Sequence, residues 1–206
     1  MYNIYMAKLE RLIQTNIVAL YPNLDLRAIS PDSVRVIADE ELDPYGSSFF
    51  QNPNGMKLVL PQRKVEIDIT QNKIQIADLF VSEPTESDLI TRYYTSVSEV
   101  VKPYISQIYG FNYIFEISID KKASLLTKRL YNIISDAKYK YESLSLKFHK
   151  ETDKNATYVI KLDEQQNGKF TFVFNFEISK PSDTLSEINA EYIEGFNKAK
   201  GVIDEL

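Results

Sequence analysis

Hydrophobic and polar positions alternate most regularly over residues 169–178. The apolar side chains, all on one side of a period-2 pattern, are Phe170, Phe172, Phe174, Phe176 and Ile178. This alternation predicts a β-strand with one strongly apolar face. Lys180 to Asp183 then carry turn and helix-start residues, and apolar side chains recur at helical spacing beyond them. The pattern therefore predicts a strand followed by a long helix that covers its apolar face.

The same alternation predicts two further strands before this one. Residues 144–148 and 158–162 both carry their apolar side chains at even positions, like the phenylalanine strand. Short loops at 151–155 and 166–168 would join the three strands into an antiparallel meander with one apolar face. The expected pairs are Leu162 with Phe172, Ile160 with Phe174, and Phe148 with Tyr158.

Residues 63–81 predict a hairpin with a two-residue turn at Gln71-Asn72. This turn keeps one face apolar, and the expected pairs are Ile69 with Ile74 and Ile67 with Ile76. After Ile76 the apolar positions change parity, which predicts a bulge near Ala77-Asp78. Residues 111–119 alternate in the same way and predict another strand.

Helical spacing of apolar residues occurs in three other segments. Residues 2–20 predict an amphipathic helix, and residues 121–137 predict a second. A long helix is predicted from Pro84 to Gly110, with a kink or restart near residues 99–102 because Pro103 interrupts the pattern.

Residues 31–42 carry conflicting signals. Ser30-Pro31-Asp32-Ser33 is typical of a helix start, whereas Val34-Arg35-Val36-Ile37 favours a strand. The strand is the favoured interpretation.

These elements predict an α+β protein in which antiparallel sheet packs against long amphipathic helices. The path from a hairpin to a long helix occurs at 63–109 and again at 156–206. This order favours internal duplication of a helix–sheet–long helix unit. The halves would be residues 1–110 and 111–206, joined as one compact domain with a fused sheet. The alternative is a chain of α+β elements without duplication.

Composition narrows the functional classes. The chain of 206 residues has no cysteine, which excludes a disulfide scaffold, a thiolate metal site and a cysteine nucleophile. The N-terminal segment carries Lys8, Glu10 and Arg11 and therefore no apolar signal core, and no run of 18 apolar residues occurs. We therefore expect a soluble cytoplasmic protein without a membrane contact, from a cellular, viral or mobile-element genome.

Charge is unevenly distributed along the chain. The net charge of −5 disfavours binding to nucleic acid through its phosphates. Residues 121–161, however, contain ten Lys or Arg against four acidic residues, a local net charge of +6. This segment is either an ordinary solvated surface or a docking patch for an acidic partner.

Residues 43–55 predict a loop, because they contain two prolines and two glycines. Adjacent aromatic residues in a polar loop either fold back on the core or contact a partner. The candidate partner-binding residues, from this loop and the basic segment, are Phe49, Phe50, Lys121, Lys122, Lys128, Arg129, Lys138 and Lys140.

Candidate catalytic groups are sparse. His149 is the only histidine and falls on the polar side of its predicted strand, so no multi-histidine metal site can form. Glu66 and Asp68 could jointly bind a divalent cation, although a cross-strand salt pattern explains this pair equally well. Asp120-Lys121-Lys122 matches the acid-x-lysine half of a metal nuclease site, but a second acidic half is not evident in the sequence. No glycine-rich phosphate loop is present.

Three hypotheses for function follow. The first is a non-enzymatic protein–protein interaction or assembly module without a cofactor, whose partner is another protein or a second copy. The second is a module that binds a small apolar ligand in a cavity between a curved sheet and a long helix. The third is a metal-dependent enzyme.

Overall fold

The computed structural model describes residues 7–37, 46–79, 83–102, 104, 106–118, 145–151, 156–165, 169–178 and 184–204. The strands in these ranges are β1 (Lys8–Leu20), β2 (Ser48–Asn52), β3 (Gly55–Leu60), β4 (Val65–Thr70), β5 (Lys73–Asp78), β6 (Ile108–Ser118), β7 (Ser145–Glu151), β8 (Ala156–Glu164) and β9 (Lys169–Ile178). The helices are a 3-10 turn (Leu26–Ala28), α1 (Pro31–Arg35), a π-helical segment (Leu89–Tyr94) that continues into α2 (Thr95–Val100), and α3 (Leu185–Asp204).

The nine strands form one sheet in the order β2-β3-β4-β5-β1-β6-β9-β8-β7, and every neighbouring pair is antiparallel. The predicted α+β class with an antiparallel sheet is therefore confirmed. The sheet runs through both predicted halves, and residues 110 and 111 both lie within β6. The described part of the chain contains one long helix, so the plural long helices and the duplicated unit are not confirmed.

The strand predicted at 169–178 and the helix predicted after it are both present, and both contribute to the core. Every even position of β9 from 170 to 178 is buried. The buried residues of α3 lie on one face of the helix: they are Ile188, Tyr192, Gly195, Phe196, Ala199 and Ile203. The rings of Tyr192 and Phe196 contact aromatic rings of β6, and Gly195 lies close to Phe176 of β9. The Tyr192 ring stacks on Tyr113 of β6 with the ring centroids 5.7 Å apart.

The prediction of an N-terminal helix was wrong, because residues 8–20 form strand β1 in the middle of the sheet. The register against β6 shifts between Leu9 and Arg11 and again between Leu12 and Gln14. Each irregularity inserts one extra residue, so the residues that face the core lie three apart along this part of the strand. A strand with two such bulges therefore imitates the apolar spacing of a helix.

The strand interpretation of residues 31–42 was also wrong where the structure describes them. Residues 31–35 form helix α1, with Ser30 as its N-cap residue and Pro31 in the first turn. Proline is favoured at this position because it needs no hydrogen-bond acceptor there and its φ suits a helix. Val34 and Ile37, three residues apart, are buried, so helical spacing outweighs the strand preference of the β-branched residues. Residues 38–42 lie outside the described part.

The predicted hairpin is confirmed, with Ile69 opposite Ile74 and Ile67 opposite Ile76. The bulge near Ala77-Asp78 was wrong, since the pairing continues without a shift to Val65 opposite Asp78. The apolar positions change parity after Ile76 because a polar residue, Asp78, occupies the next position that faces the core. The Asp78 carboxylate accepts a hydrogen bond from the Ser87 hydroxyl at 2.9 Å and is only 6% exposed.

The long helix expected from Pro84 to Gly110 is shorter than predicted. Helical structure extends from Leu89 to Val100, close to the expected break, whereas Tyr109 and Gly110 belong to β6. The strand expected at 111–119 is confirmed over its described residues, with Phe111, Tyr113, Phe115 and Ile117 buried. The helix expected at 121–137 lies outside the described residues.

The three-strand meander is confirmed, and so are the pairs Leu162 with Phe172 and Ile160 with Phe174. One pair was wrong, because Phe148 lies opposite Ile160 and not opposite Tyr158. If the turn between β7 and β8 is centred one residue later than expected, each residue of β7 pairs with a residue two positions further along β8. Side-chain parity is then unchanged, and alternation cannot distinguish the two registers. Within the described ranges, no helix is long and apolar enough to cross a membrane.

Candidate functional site

Strand β2 is one of the two outermost strands of the sheet. Among the described residues it pairs with β3 alone. Outer strands normally carry charges or prolines that block the addition of a further strand. The opposite outer strand, β7, contains Lys147, Lys150 and Glu151, whereas β2 (Ser-Phe-Phe-Gln-Asn) contains no charged residue and no proline. By composition, and among the described residues, β2 is therefore the less protected of the two edges.

Local interactions hold β2 against β3. The two-residue turn Pro53-Asn54 joins the strands, and the Asn52 side-chain oxygen accepts a hydrogen bond from the Asn54 backbone N–H at 2.8 Å. The first residue of β3 is Gly55, where a Cβ atom would lie 2.5 Å from the carbonyl oxygen of Ile69 in β4. The absence of a side chain at Gly55 therefore allows the hairpin to lie against β4.

The register determines which backbone groups of β2 point away from β3. In a two-residue hairpin the residues that flank the turn, here Asn52 and Gly55, form a hydrogen-bonded pair, and such pairs alternate along the strands. Phe50 and Lys57 therefore form a hydrogen-bonded pair. The N–H and C=O groups of Phe49 and Gln51 consequently point outward, where a further strand would bind.

The two phenylalanines of β2 lie on opposite faces of the sheet. Phe49 is opposite the buried Leu58 and packs against the core, with the Arg35 guanidinium 4.7 Å from its ring centroid. Phe50 lies on the other face and is 58% exposed. Val36, next to Arg35 in the chain, is 75% exposed. An exposed apolar side chain, that of Phe50, therefore lies beside the outward backbone groups of β2.

The charged neighbour of Phe50 on the adjacent strand, Lys57, lies between two carboxylates. The neighbouring Lys57 places its ammonium nitrogen 2.6 Å from Glu66 and 3.9 Å from Asp68. The hydrogen bond to Glu66 raises the pKa of Lys57. Lys57 thus occupies the position between the two carboxylates that a divalent cation would need. No group of three or more potential metal ligands occurs among the residues that the structure describes.

The interface between α3 and the sheet is tightly packed. A Cβ atom at Gly195 would lie 2.7 Å from a Phe176 ring carbon and 2.8 Å from the Tyr113 hydroxyl oxygen. A cleft of about 680 Å³ lies among surface turns. Its lining includes Asn23, Gln71 and the ion pair of Asp25 with Arg27, so it is largely polar.

A buried hydrogen-bond network lies beneath α3. The Tyr192 hydroxyl donates to the Thr15 hydroxyl at 2.7 Å, and the Tyr113 hydroxyl donates to the Tyr192 main-chain carbonyl. Burial raises the pKa of Tyr192 to about 12, and burial also raises the pKa of Tyr113 well above its usual value. Both phenols therefore keep their protons. All three side chains are almost completely buried, so this network stabilises the fold and does not contact solvent.

The opposite face of the sheet carries a row of asparagines that the sequence reasoning missed. Asn16, Asn112 and Asn175 lie side by side on β1, β6 and β9. The Asn112 amide donates to the Asn16 side-chain oxygen at 2.7 Å, and the buried Asn175 side-chain oxygen has no hydrogen-bond partner among the described residues. The residues lie about 60–100 positions apart along the chain, so no local pattern identifies the row.

His149, another residue singled out from sequence, is not brought to the β2 edge. His149 lies in β7 at the far side of the sheet, opposite Val159 of β8. Several candidates lie outside the described residues: Asp120, Lys121, Lys122, Lys128, Arg129, Lys138 and Lys140. Sequence reasoning identified Phe49 and Phe50 but placed them in a loop. The turn sequence Asn52-Pro53-Asn54-Gly55, followed by alternating residues, could have predicted the β2–β3 hairpin.

No protein-family model matches this chain, and no match was found among curated proteins.

Proposed function

We propose that this chain is a non-enzymatic protein–protein interaction or assembly module of the cytoplasm. It binds an extended segment of its partner, another protein or a second copy, at the outer edge of β2. The observation that supports this function is an uncharged edge strand with outward backbone groups at Phe49 and Gln51. Those groups have no partner among the described residues, and Phe50 is exposed beside them.

The energetics favour binding through both the backbone and Phe50. Each backbone hydrogen bond to an added strand contributes about 0.5–1.5 kcal/mol net. Burying the exposed part of a phenylalanine side chain adds about 1 kcal/mol. These gains must exceed the entropy lost on association, so a short strand alone gives a weak complex. We therefore expect loss of the outward hydrogen bonds to abolish binding.

The two alternatives have less support. A small apolar ligand between sheet and helix would need space that Phe176 and Tyr113 occupy around Gly195. A divalent cation at Glu66 and Asp68 would have to displace the Lys57 ammonium, which hydrogen bonds to Glu66 at 2.6 Å. An interaction function requires neither rearrangement.

Gln51→Pro tests the proposal, because proline removes the outward N–H of residue 51. The ladder between β2 and β3 remains intact, since the residue 51 amide does not contribute to it. Gln51→Ala keeps the N–H and is the matched control. Thermal unfolding of both variants shows whether each is folded.

The assay is native mass spectrometry of the protein purified from its own host. We expect wild type and Gln51→Ala to carry an added protein or to appear at multiples of 23.8 kDa, and Gln51→Pro to appear as a monomer. A folded Gln51→Pro variant that keeps the complex would contradict docking at β2. A wild-type protein that is a bare monomer would contradict the assembly function itself.

A further inference from the structure

We propose that the strand bound at β2 is β2 of a second copy of this chain. The two strands would lie antiparallel about a twofold axis at the level of Phe50, midway between Phe50 and the partner's Phe50, and would join the two sheets into one. This proposal rests on the proposed function, because it names the partner for the same edge.

The alternation of outward and inward backbone N–H and C=O groups along β2 allows this arrangement. The outward groups belong to the odd residues Phe49 and Gln51. A twofold axis through residue 50 places Phe49 opposite the partner's Gln51, and Gln51 opposite the partner's Phe49. Each of these pairs exchanges two backbone hydrogen bonds, which gives about four in total. An axis between two residues would instead place outward groups opposite inward ones, and no ladder would form.

The position of the axis is also determined by the ends of the strand. An axis through Phe50 pairs all five residues of β2 with all five of its copy. An axis through Gln51 would place Phe49 opposite the partner's Pro53, which has no N–H to donate. An axis through Phe49 would leave Asn52 without a partner in the copy of β2. Only the axis through Phe50 uses the whole strand.

The side chains on this axis are self-complementary. Phe50 would occupy a non-hydrogen-bonded position opposite the partner's Phe50, where Cα atoms lie about 4.5 Å apart and side chains are closest. Aromatic pairs stabilise such positions. The next residue on the same face, Ser48, would be opposite the partner's Asn52, so two small polar residues meet. The exposed Phe50 rings would thus be covered by each other.

Charge does not oppose the arrangement. The nearest charged side chain in this row is Lys57, on β3, and it is already paired with Glu66. Lys57 and the partner's Lys57 would be separated by three strand spacings, or about 14 Å. That distance exceeds the Debye length of about 8 Å at physiological ionic strength, so their repulsion is largely screened.

Cysteine cross-linking tests the axis directly, because the chain contains no cysteine of its own. A disulfide needs Cα atoms about 4.4–6.8 Å apart, and the copies of residue 50 satisfy this distance. Ser48→Cys is the matched control, because its two copies would lie about 13 Å apart along the strands. An equimolar mixture of Ser48→Cys and Asn52→Cys chains tests the same register with Phe50 intact.

Each sample is oxidised mildly at equal concentration, and the covalent dimer is followed by intact mass. We expect Phe50→Cys, and the mixture of Ser48→Cys with Asn52→Cys, to form the dimer at least about tenfold faster than Ser48→Cys alone. Adding Gln51→Pro to Phe50→Cys should remove this advantage.

Equal rates for Phe50→Cys, the mixture and Ser48→Cys alone would overturn the self-pairing. If Gln51→Pro still abolished the complex isolated from the host, docking at β2 would stand and the partner would be a different protein. If the host complex were also unaffected by Gln51→Pro, the proposed function and the self-pairing would both be wrong.

Discussion

Gly195 lies in the contact between α3 and the sheet, and replacing it with alanine tests how tightly the two layers pack. The added Cβ atom would lie 2.7 Å from a Phe176 ring carbon and 2.8 Å from the Tyr113 hydroxyl oxygen. The Tyr113 hydroxyl donates a hydrogen bond to the carbonyl of Tyr192, so it cannot move away without losing that bond. The substitution therefore forces a shift of a buried ring or of the helix.

The expected magnitude combines two opposing effects. Alanine in place of glycine within a helix stabilises by about 1 kcal/mol. Insertion of a methyl group into a close-packed core costs about 1–3 kcal/mol. Gly201 lies on the same helix, and a Cβ atom added there would have no described neighbour within 4 Å. Gly201→Ala should therefore show the helix effect alone.

We expect Gly195→Ala to be less stable than Gly201→Ala by about 1–3 kcal/mol, because the helix effect is common to both variants. Urea denaturation followed by circular dichroism measures the difference. The midpoint of thermal unfolding should differ by about 2–4 °C for each kcal/mol. If Gly195→Ala were as stable as Gly201→Ala, space would exist between α3 and the sheet. The tight-packing argument against an apolar ligand would then fail.

Two further predictions concern hydrogen bonds of α3. Thr184→Ala should lower the free energy of unfolding by about 1 kcal/mol in urea denaturation, because the Thr184 hydroxyl accepts a hydrogen bond from the Glu187 N–H at 3.3 Å. Thr184→Ser should restore most of this loss. Equal stability of wild type and both variants would contradict the capping role of Thr184. The pKa of Tyr192, raised by burial from 10.0 to about 12, makes the folded chain keep a proton that the unfolded chain releases. Its contribution to stability is complete below pH 10 and is lost by pH 12, a change of about 2–3 kcal/mol. Tyr192→Phe should flatten this decline in unfolding free energy, and an unchanged slope would show that Tyr192 does not titrate in this way.

Elements that local patterns determine were predicted well. The strand from Phe170 to Ile178 has an uninterrupted alternation, and the hairpin around Gln71-Asn72 combines alternation with a short turn. Both signals depend on neighbouring residues alone. Helix α3 followed in the same way, because its apolar residues recur regularly over 20 residues.

The errors arose where tertiary contacts change a local pattern. The bulges near Leu9 and Leu12 of β1 produce helical spacing in a strand, and their presence depends on pairing with β6. The inward position of Asp78 is stabilised by Ser87, on the segment that leads into the next helix. The local sequence pattern does not identify these partners. The spacing of apolar residues therefore predicted a helix where β1 lies, and the change of parity after Ile76 predicted a bulge that does not form.

The candidate site was predicted only in part. Adjacent aromatic residues in a polar segment singled out Phe49 and Phe50 as either core residues or partner contacts, without showing which of the two is exposed. Its importance, however, comes from the position of β2 at the edge of the sheet. That position depends on the strand order, in which β1 lies between β5 and β6 although 52 residues separate β1 from β5 in the chain. Strand order is set by long-range contacts and is not visible in the residues around Phe50.

The central claim, that a partner protein docks on the outward backbone groups of β2, is tested most directly by the Gln51 variants. Native mass spectrometry of Gln51→Ala and Gln51→Pro, each purified from its own host and shown to be folded, compares chains that differ in one outward N–H. Docking at β2 predicts a complex for Gln51→Ala and a 23.8 kDa monomer for Gln51→Pro. The same complex in both variants would contradict it.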